Sequence, residues 1–281
     1  MAPGKAILLV DNDRQTHDEV AAMLDEEPYS LDSAYSGEEG LSRLAGGHYD
    51  LVLTAMRMNG MDGLTLLNRI QQIQPETPVV VLTSDSTPEA VVSAIRHHAY
   101  CLLGKPLARG SLLETVNSAL NLPAESDDIE VISARPDWIS IQLRCKLVIA
   151  DRLAHFFREL TTELSPHERD SISSAFRELL MNAIEHGGRS DPNQKVNLTY
   201  VRTKRAIVYY LRDPGSGFSF ADLAHAAVSN SKEQPLGHTE IRNKMGIRPG
   251  GFGILLTQNF ADELLYSEKG NEVMLIKYIP Q

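Results

Sequence analysis

Through the first 120 residues, short apolar runs alternate with segments whose apolar residues recur at helical spacing. KAILLV (5–10), YSLDSAY (29–35), DLVLT (50–54), PVVVLT (78–83) and YCLLG (100–104) predict strands. Helices are predicted near 14–26, 37–46, 63–73, 88–97 and 109–120, one following each strand. Several of these strands are apolar throughout, as expected where helices cover both faces of a sheet. Five βα units in succession predict an α/β, doubly wound, five-stranded parallel sheet with its site at the carboxyl ends of the strands.

The pattern then changes. Asn121 to Glu130 (NLPAESDDIE) is polar and acidic with an early proline, and reads as a connection. It divides the chain into a first domain at 1–122, a linker at 123–134 and a second domain at 135–281. Beyond it, WISIQL (138–143) predicts a strand and the stretch around Ile149–Glu163 a long helix. Ser165-Pro166-His167-Glu168 predicts a helix start, with Ser165 as N-cap, Pro166 in the first turn and Glu168 closing a capping box. The helix behind it carries Ile172, Phe176, Leu179 and Ala183 on one stripe. Two hairpin-like segments follow, at 195–213 and 263–278, the second turning at Lys269-Gly270-Asn271. Helices laid on an antiparallel sheet predict an α+β sandwich. The long polar region 219–250 reads as a mobile lid.

Composition sharpens this in two ways. The chain has 281 residues and a formal net charge of −10, and residues 1–122 contain 16 of its 37 acids but only 8 of its 27 basic side chains. That balance argues against a surface that tracks nucleic-acid phosphates. Its two cysteines, Cys101 and Cys145, supply neither a disulfide framework nor a cysteine-based zinc site, and are expected to be free thiols. No apolar run reaches membrane-spanning length, so a cytoplasmic protein without membrane contact is expected.

The residues ILLVDND, VLTAMRMNGMDG, VVVLTS and LLGKPL stand in that order at the predicted strand ends. Together they resemble the receiver domain of bacterial response regulators, over nearly all of residues 5–120. The resemblance implies a pocket of Mg²⁺-binding acids at Asp11 and Asn12, a phosphoacceptor at residue 55, a hydroxyl at Thr83 and a lysine at Lys105. The acceptor position holds Ala55, which has no oxygen to phosphorylate, and Asn12 stands where a second acid is usual. Asp13 is expected to point elsewhere, since side chains alternate at a strand end. Ordinary receiver phosphorylation is therefore not expected, and Asp11 is left as a vestigial metal ligand. Either the domain docks without phosphorylation, or the acceptor has been replaced. In the second case an upstream histidine kinase would have served an aspartate there. Asp62-Gly63 reads as a turn leading into a helix.

In the second domain, Glu178 and Asn182 lie four apart on one helix face, with Glu185 and His186 continuing the stripe. Asp213-Pro214-Gly215-Ser216-Gly217 follows a strand, and Gly250-Gly251-Phe252-Gly253 opens a helix. Glycines let backbone amides approach phosphates, and a helix N-terminus favours an anion. In this order the three segments resemble the ATPase fold shared by gyrase, Hsp90 and histidine kinases, over about residues 135–281. Within that group, ELLMNAIEHGG most resembles the anti-sigma-factor serine kinases of partner-switching systems.

The resemblance implies ATP and Mg²⁺ as cofactors and Glu178 as general base. Asn182 would be the Mg²⁺ ligand, and Asp213 would recognise the adenine amino group. His186, Gly215, Gly217, Gly251 and Gly253 would complete the nucleotide pocket. Arg242, Lys244 and Arg248 are either phosphate contacts or solvated loop charges. It further implies a homodimer and a protein partner, either an anti-anti-sigma-like antagonist or a sigma factor. A non-catalytic ATP-dependent binding switch is the alternative. A histidine-kinase-type phosphotransfer protein fits less well, because His167-Glu168 is explained by capping and the linker has no room for a dimerising hairpin.

Overall fold

A computed structural model describes residues 5–121, 128–217 and 253–280. The chain divides into two compact units, residues 1–127 and 128–281.

The first unit has the expected alternation: β1 (Lys5–Val10), α1 (Arg14–Leu24), β2 (Tyr29–Ala34), α2 (Gly37–Gly46), β3 (Leu51–Ala55), α3 (Gly63–Ile73), β4 (Val79–Thr83), α4 (Pro88–Arg96), β5 (Cys101–Gly104) and α5 (Arg109–Asn121). The strands form one parallel sheet in the order β2-β1-β3-β4-β5. All residues of β3 and β4 are buried, which is why those segments read as unbroken apolar runs. Four of the five helices begin on a side-chain cap: Asp13, Ser36, Asp62 and Thr87 each accept a backbone N–H of the first turn. Asp13 does not turn away from the strand-end pocket as the alternation predicts: as the cap of α1 it accepts from the Gln15 N–H at 3.1 Å and from the Thr16 hydroxyl at 3.0 Å, at the edge of the pocket network.

The second unit stacks two long helices on an antiparallel sheet. Its elements are β6 (Ile129–Arg135), β7 (Trp138–Arg144), α6 (Val148–Glu159), α7 (Pro166–Asn182), a π turn (Ala183–Gly187), β8 (Lys195–Arg202), β9 (Ala206–Arg212), α8 (Gly253–Phe260), β10 (Glu263–Tyr266) and β11 (Glu272–Tyr278). The sheet order is β10-β11-β9-β8-β7-β6. Its core is aromatic: Phe157 and Phe176 from the helices meet Tyr200 and Tyr209 from the strands, with ring centroids 4.8–5.7 Å apart. The expected box at the head of α7 forms as well. Ser165 accepts from the Glu168 N–H, and Glu168 accepts from the Ser165 N–H at 3.0 Å.

Two details depart from the sequence reading. The strand β6 occupies the second half of the expected linker 123–134, because Ile129 and Val131 alternate inward against Leu143 and Ile141 among acidic neighbours that mask the pattern. The helix expected to reach Glu163 stops at Glu159, where the Thr161 hydroxyl bonds the Arg158 carbonyl at 2.7 Å. The lid expected at 219–250 lies outside the described residues.

Removing the Ser165 cap by Ser165→Ala should lower the unfolding free energy by about 1 kcal/mol, read from urea midpoints at neutral pH. The Ser165 hydroxyl, hydrogen-bonded to the Glu168 carboxylate, holds the Glu168 carboxyl below its ordinary range. Glu168's share of the box is therefore present above the ordinary carboxylate pKa and fades as pH falls through the lowered one. The difference between the two proteins should shrink over that acid range.

Candidate functional site

In the first unit, the sequence-predicted pocket residues converge at the carboxyl ends of β1, β3, β4 and β5. Asp11 is buried, and both its carboxylate oxygens are engaged. Oδ1 accepts from the Asp13 N–H at 2.9 Å, and Oδ2 accepts from Lys105 Nζ at 2.6 Å. The same ammonium donates to Thr16 Oγ at 2.7 Å. Ala55 ends β3 with a methyl group, and Asn12 is exposed. Thr83 closes on its own loop, donating to the Asp85 carbonyl at 3.0 Å and accepting the Asp85 N–H at 3.1 Å. Arg57 reaches Asp85 at 3.0 Å from the loop after β3. Gly63 sits where a β-carbon would lie 2.0 Å from the Ala55 carbonyl, so the turn expected at Asp62-Gly63 requires glycine there.

The charge arithmetic explains the geometry. The buried carboxylate of Asp11 faces the Lys105 ammonium directly, with exposed Asp13 one step away through Thr16. These residues do not fit a divalent cation, which needs several free oxygen ligands. Nor do they offer an acceptor oxygen at residue 55.

In the second unit, burial of Ile172, Ala175, Phe176, Leu179 and Leu180 turns the opposite face of α7 outward. Glu178 and Asn182 lie on that face and meet the start of α8. A β-carbon on Gly253 would stand 2.6 Å from Glu178 Oε2 and 3.7 Å from Asn182 Nδ2. The other Glu178 oxygen, Oε1, lies 3.7 Å from Arg177 Nη1, and Arg177 Nε is anchored on Asp151 of α6. Arg177 and Asp151 were given no role from the sequence. Their pairing across two helices leaves no local spacing signal.

The Asp213 loop forms the other side. Asp213 Oδ1 accepts from the Gly215 N–H at 2.8 Å, and β-carbons on Gly187 or Gly215 would stand 2.3 or 2.8 Å from Asp213 side-chain atoms. Partial burial pushes the Asp213 carboxyl upward, opposed by the Gly215 bond and the Lys269 charge. Buried Asn271 ties this loop to the β10–β11 turn: its carbonyl accepts the Asp213 N–H at 3.0 Å and its side chain donates to the Asp213 carbonyl at 3.3 Å. Gly217 has a φ of +83, and a β-carbon there would overlap the Lys269 carbonyl.

The stripe expected to continue through Glu185 and His186 is redirected by the π turn. Gly187 is brought against Asp213, while His186 is exposed. Gly251, Arg242, Lys244 and Arg248 lie outside the described residues.

Comparison with known families agrees with both halves. Residues 7–117 match the response regulator receiver domain, and residues 146–277 match the histidine kinase-like ATPase domain. The chain is a receiver domain followed by a histidine kinase-like ATPase domain. Curated relatives include the transcriptional regulatory proteins GlrR of Escherichia coli K12 and ZraR of Salmonella typhimurium. GlrR is 35% identical over 122 residues, covering 43% of this chain and 28% of the relative, and ZraR 36% identical over 121, covering 43% and 27%. DltR of Streptococcus agalactiae is 30% identical over 110 residues, covering 39% of this chain and 49% of its own. This chain thus spans about a quarter to a half of those relatives.

Among solved structures, the signal receiver domain of an HD domain-containing protein from Pseudomonas fluorescens Pf-5 is 34% identical. It covers 43% of this chain and 89% of its own, with a TM-score of 0.41. The response regulator TrrA from Thermotoga maritima is 30% identical, covering 41% and 99%, with a TM-score of 0.39.

The receiver pocket gives a direct test. Replacing one member of a buried ion pair leaves the other charge stranded and costs on the order of 3 kcal/mol. Lys105→Ala should therefore destabilise the receiver by about that much in urea unfolding at neutral pH. The unmodified chain incubated with acetyl phosphate and Mg²⁺ should take up no acid-labile phosphoryl group, scored by phosphate-affinity electrophoresis.

Proposed function

We propose that this chain is a response regulator whose output is an ATP-dependent serine/threonine protein kinase of the anti-sigma-factor, partner-switching type. The observation that supports this best is the convergence of Glu178 and Asn182 on Gly253, with Asp213 held between Gly187 and Gly215 on the other side. A carboxylate, an amide and a helix N-terminus meeting at one point suit a phosphoryl donor and a hydroxyl acceptor.

In this reading Asp213 accepts the adenine amino group, whose N–H replaces the hydration that partial burial removes from the carboxylate. Glu178 takes the proton from the acceptor serine. Arg177 Nη1 lies 3.7 Å from Glu178 Oε1 and Gly253 packs beside Oε2, so the carboxylate sits between a positive charge and the start of α8. Asn182 offers its side-chain oxygen to Mg²⁺, which arrives with the nucleotide and, when bound, neutralises phosphate charge. A single neutral ligand suits a metal held mainly by phosphates. Among the described residues no cluster of three or more His, Cys, Asp or Glu side chains could hold a metal by itself.

The proposed partner is an antagonist protein carrying the acceptor serine, or a sigma factor held by the kinase. Homodimerisation belongs to the same reading. On the outer face of the ATPase sheet, Trp138, Val201, Val208 and Ile276 stand side by side across four strands, an apolar row that a second copy would cover. The receiver would govern the output by docking rather than by phosphorylation at residue 55. No helix among the described residues is long and apolar enough to cross a membrane.

Asn182→Ala should abolish Mg²⁺-ATP binding measured by calorimetry, and undiminished binding would sink the site assignment. Glu178→Gln should retain ATP and antagonist binding while losing transfer from labelled ATP by at least about a hundredfold. If the unmodified chain binds ATP and a candidate antagonist but never labels it, a non-catalytic switch is the better reading.

A further inference from the structure

The second unit begins with a buried charge. Asp128 is 1% exposed and is the first residue of that unit. Its carboxylate lies 2.8 Å from Lys146 Nζ, and its carbonyl accepts the Arg144 N–H at 3.0 Å. Between those two residues stands Cys145, equally buried, with its N–H donated to the Gln194 carbonyl at 3.1 Å.

Cys145 supports the floor of the Asp213 loop. A β-carbon on Gly188 would lie 2.1 Å from its sulfur, so Gly188 rests directly on the thiol. The preceding residue, Gly187, is the one packed against Asp213. Burial, with the charges of Asp191 and Asp213, pushes the Cys145 thiol up to about 11. The side chain is therefore a neutral spacer and not a nucleophile. Three consecutive residues, Arg144 to Lys146, thus grip the entry of the chain on one side and the wall of the Asp213 loop on the other.

We propose that this strap couples the point where the chain enters the ATPase domain to the nucleotide site, so that loosening Asp128 lowers nucleotide affinity. The inference rests on reading the Asp213 loop as that site. A buried ion pair is either made or broken, and a close-packed thiol against a glycine has no slack, so displacement at one end is passed to the other. The coupling is reciprocal: nucleotide must tighten the strap by the factor by which the strap tightens nucleotide.

The test uses the full chain with ADP and Mg²⁺ as the probe ligand. Cys145 labelling by N-ethylmaleimide is read by peptide mass spectrometry, with buried Cys101 of the receiver as internal reference. Asp128→Asn keeps the backbone bond and removes the charge. It should weaken ADP binding by about fivefold or more and speed Cys145 labelling by a similar factor, leaving Cys101 unchanged. Lys146→Gln, which keeps a donor toward Asp128, should fall between the two.

In the unmodified chain, saturating ADP should slow amide exchange at residues 144–146, a measurement that needs no variant. Faster Cys145 labelling with ADP affinity unchanged would overturn the coupling, as would exchange indifferent to ADP in a chain that binds it. Faster labelling in the variant of a chain that binds no ADP at all would instead overturn the nucleotide reading while supporting the tie between Asp128 and the loop.

Discussion

The rotation of α7 about its own axis decides what the ATPase domain can do. Phe176 is locked into the cluster of Phe157, Tyr200 and Tyr209, and Ile172, Leu179 and Leu180 are buried beside it. A helix held on that many apolar contacts cannot turn by even one residue without exposing several of them, each worth about 1.5–3 kcal/mol. Glu178 and Asn182 are thereby committed to the opposite face, toward Gly253. The position of the candidate base is thus set by the aromatic core behind it and needs no further device except the guanidinium of Arg177.

The receiver shows the converse case, where the charges around a residue without a polar group pair among themselves. With alanine at residue 55, the only carboxylate left in the buried pocket is Asp11, and Lys105 answers it directly. The ammonium also satisfies Thr16, and Thr83 is occupied by its own loop. The pocket is held in one arrangement by contacts among its own residues. The other acids of this half therefore lie outside the buried pocket.

Much of this was legible in the sequence because the periodicities are clean. The parallel sheet, its order of elements, the Ser165 capping box and the pairing of Glu178 with Asn182 all follow from local spacing. So did the alanine at the acceptor position, which needs only a motif and a count. What local spacing could not carry is contact between distant segments: Asp151 with Arg177, Asn271 with the Asp213 loop, Cys145 beneath Gly188. The strand at 129–135 was hidden because Glu130, Arg135 and the acids before it are charged, and a register shift between Val131 and Ser133 leaves Ile132 exposed. The π turn was hidden because one extra residue in a helix has no compositional signature. At that turn His186 is exposed, and Gly187, quoted in the motif without a role, makes the contact with Asp213.

The wall around Asp213 draws on residue 145 after β7, residues 187 and 188 after α7, residue 215 after β9 and residue 271 before β11. No single stretch of chain can form it, and loop-closure entropy must be met three times before its four segments meet. Segments assembled over such sequence separations come together late in folding and come apart early. The wall around Asp213 is thus a reporter on completion of the whole domain, and any ligand that fills it draws its apparent affinity partly from the folding equilibrium. A chain built this way cannot display its output from a half-made domain.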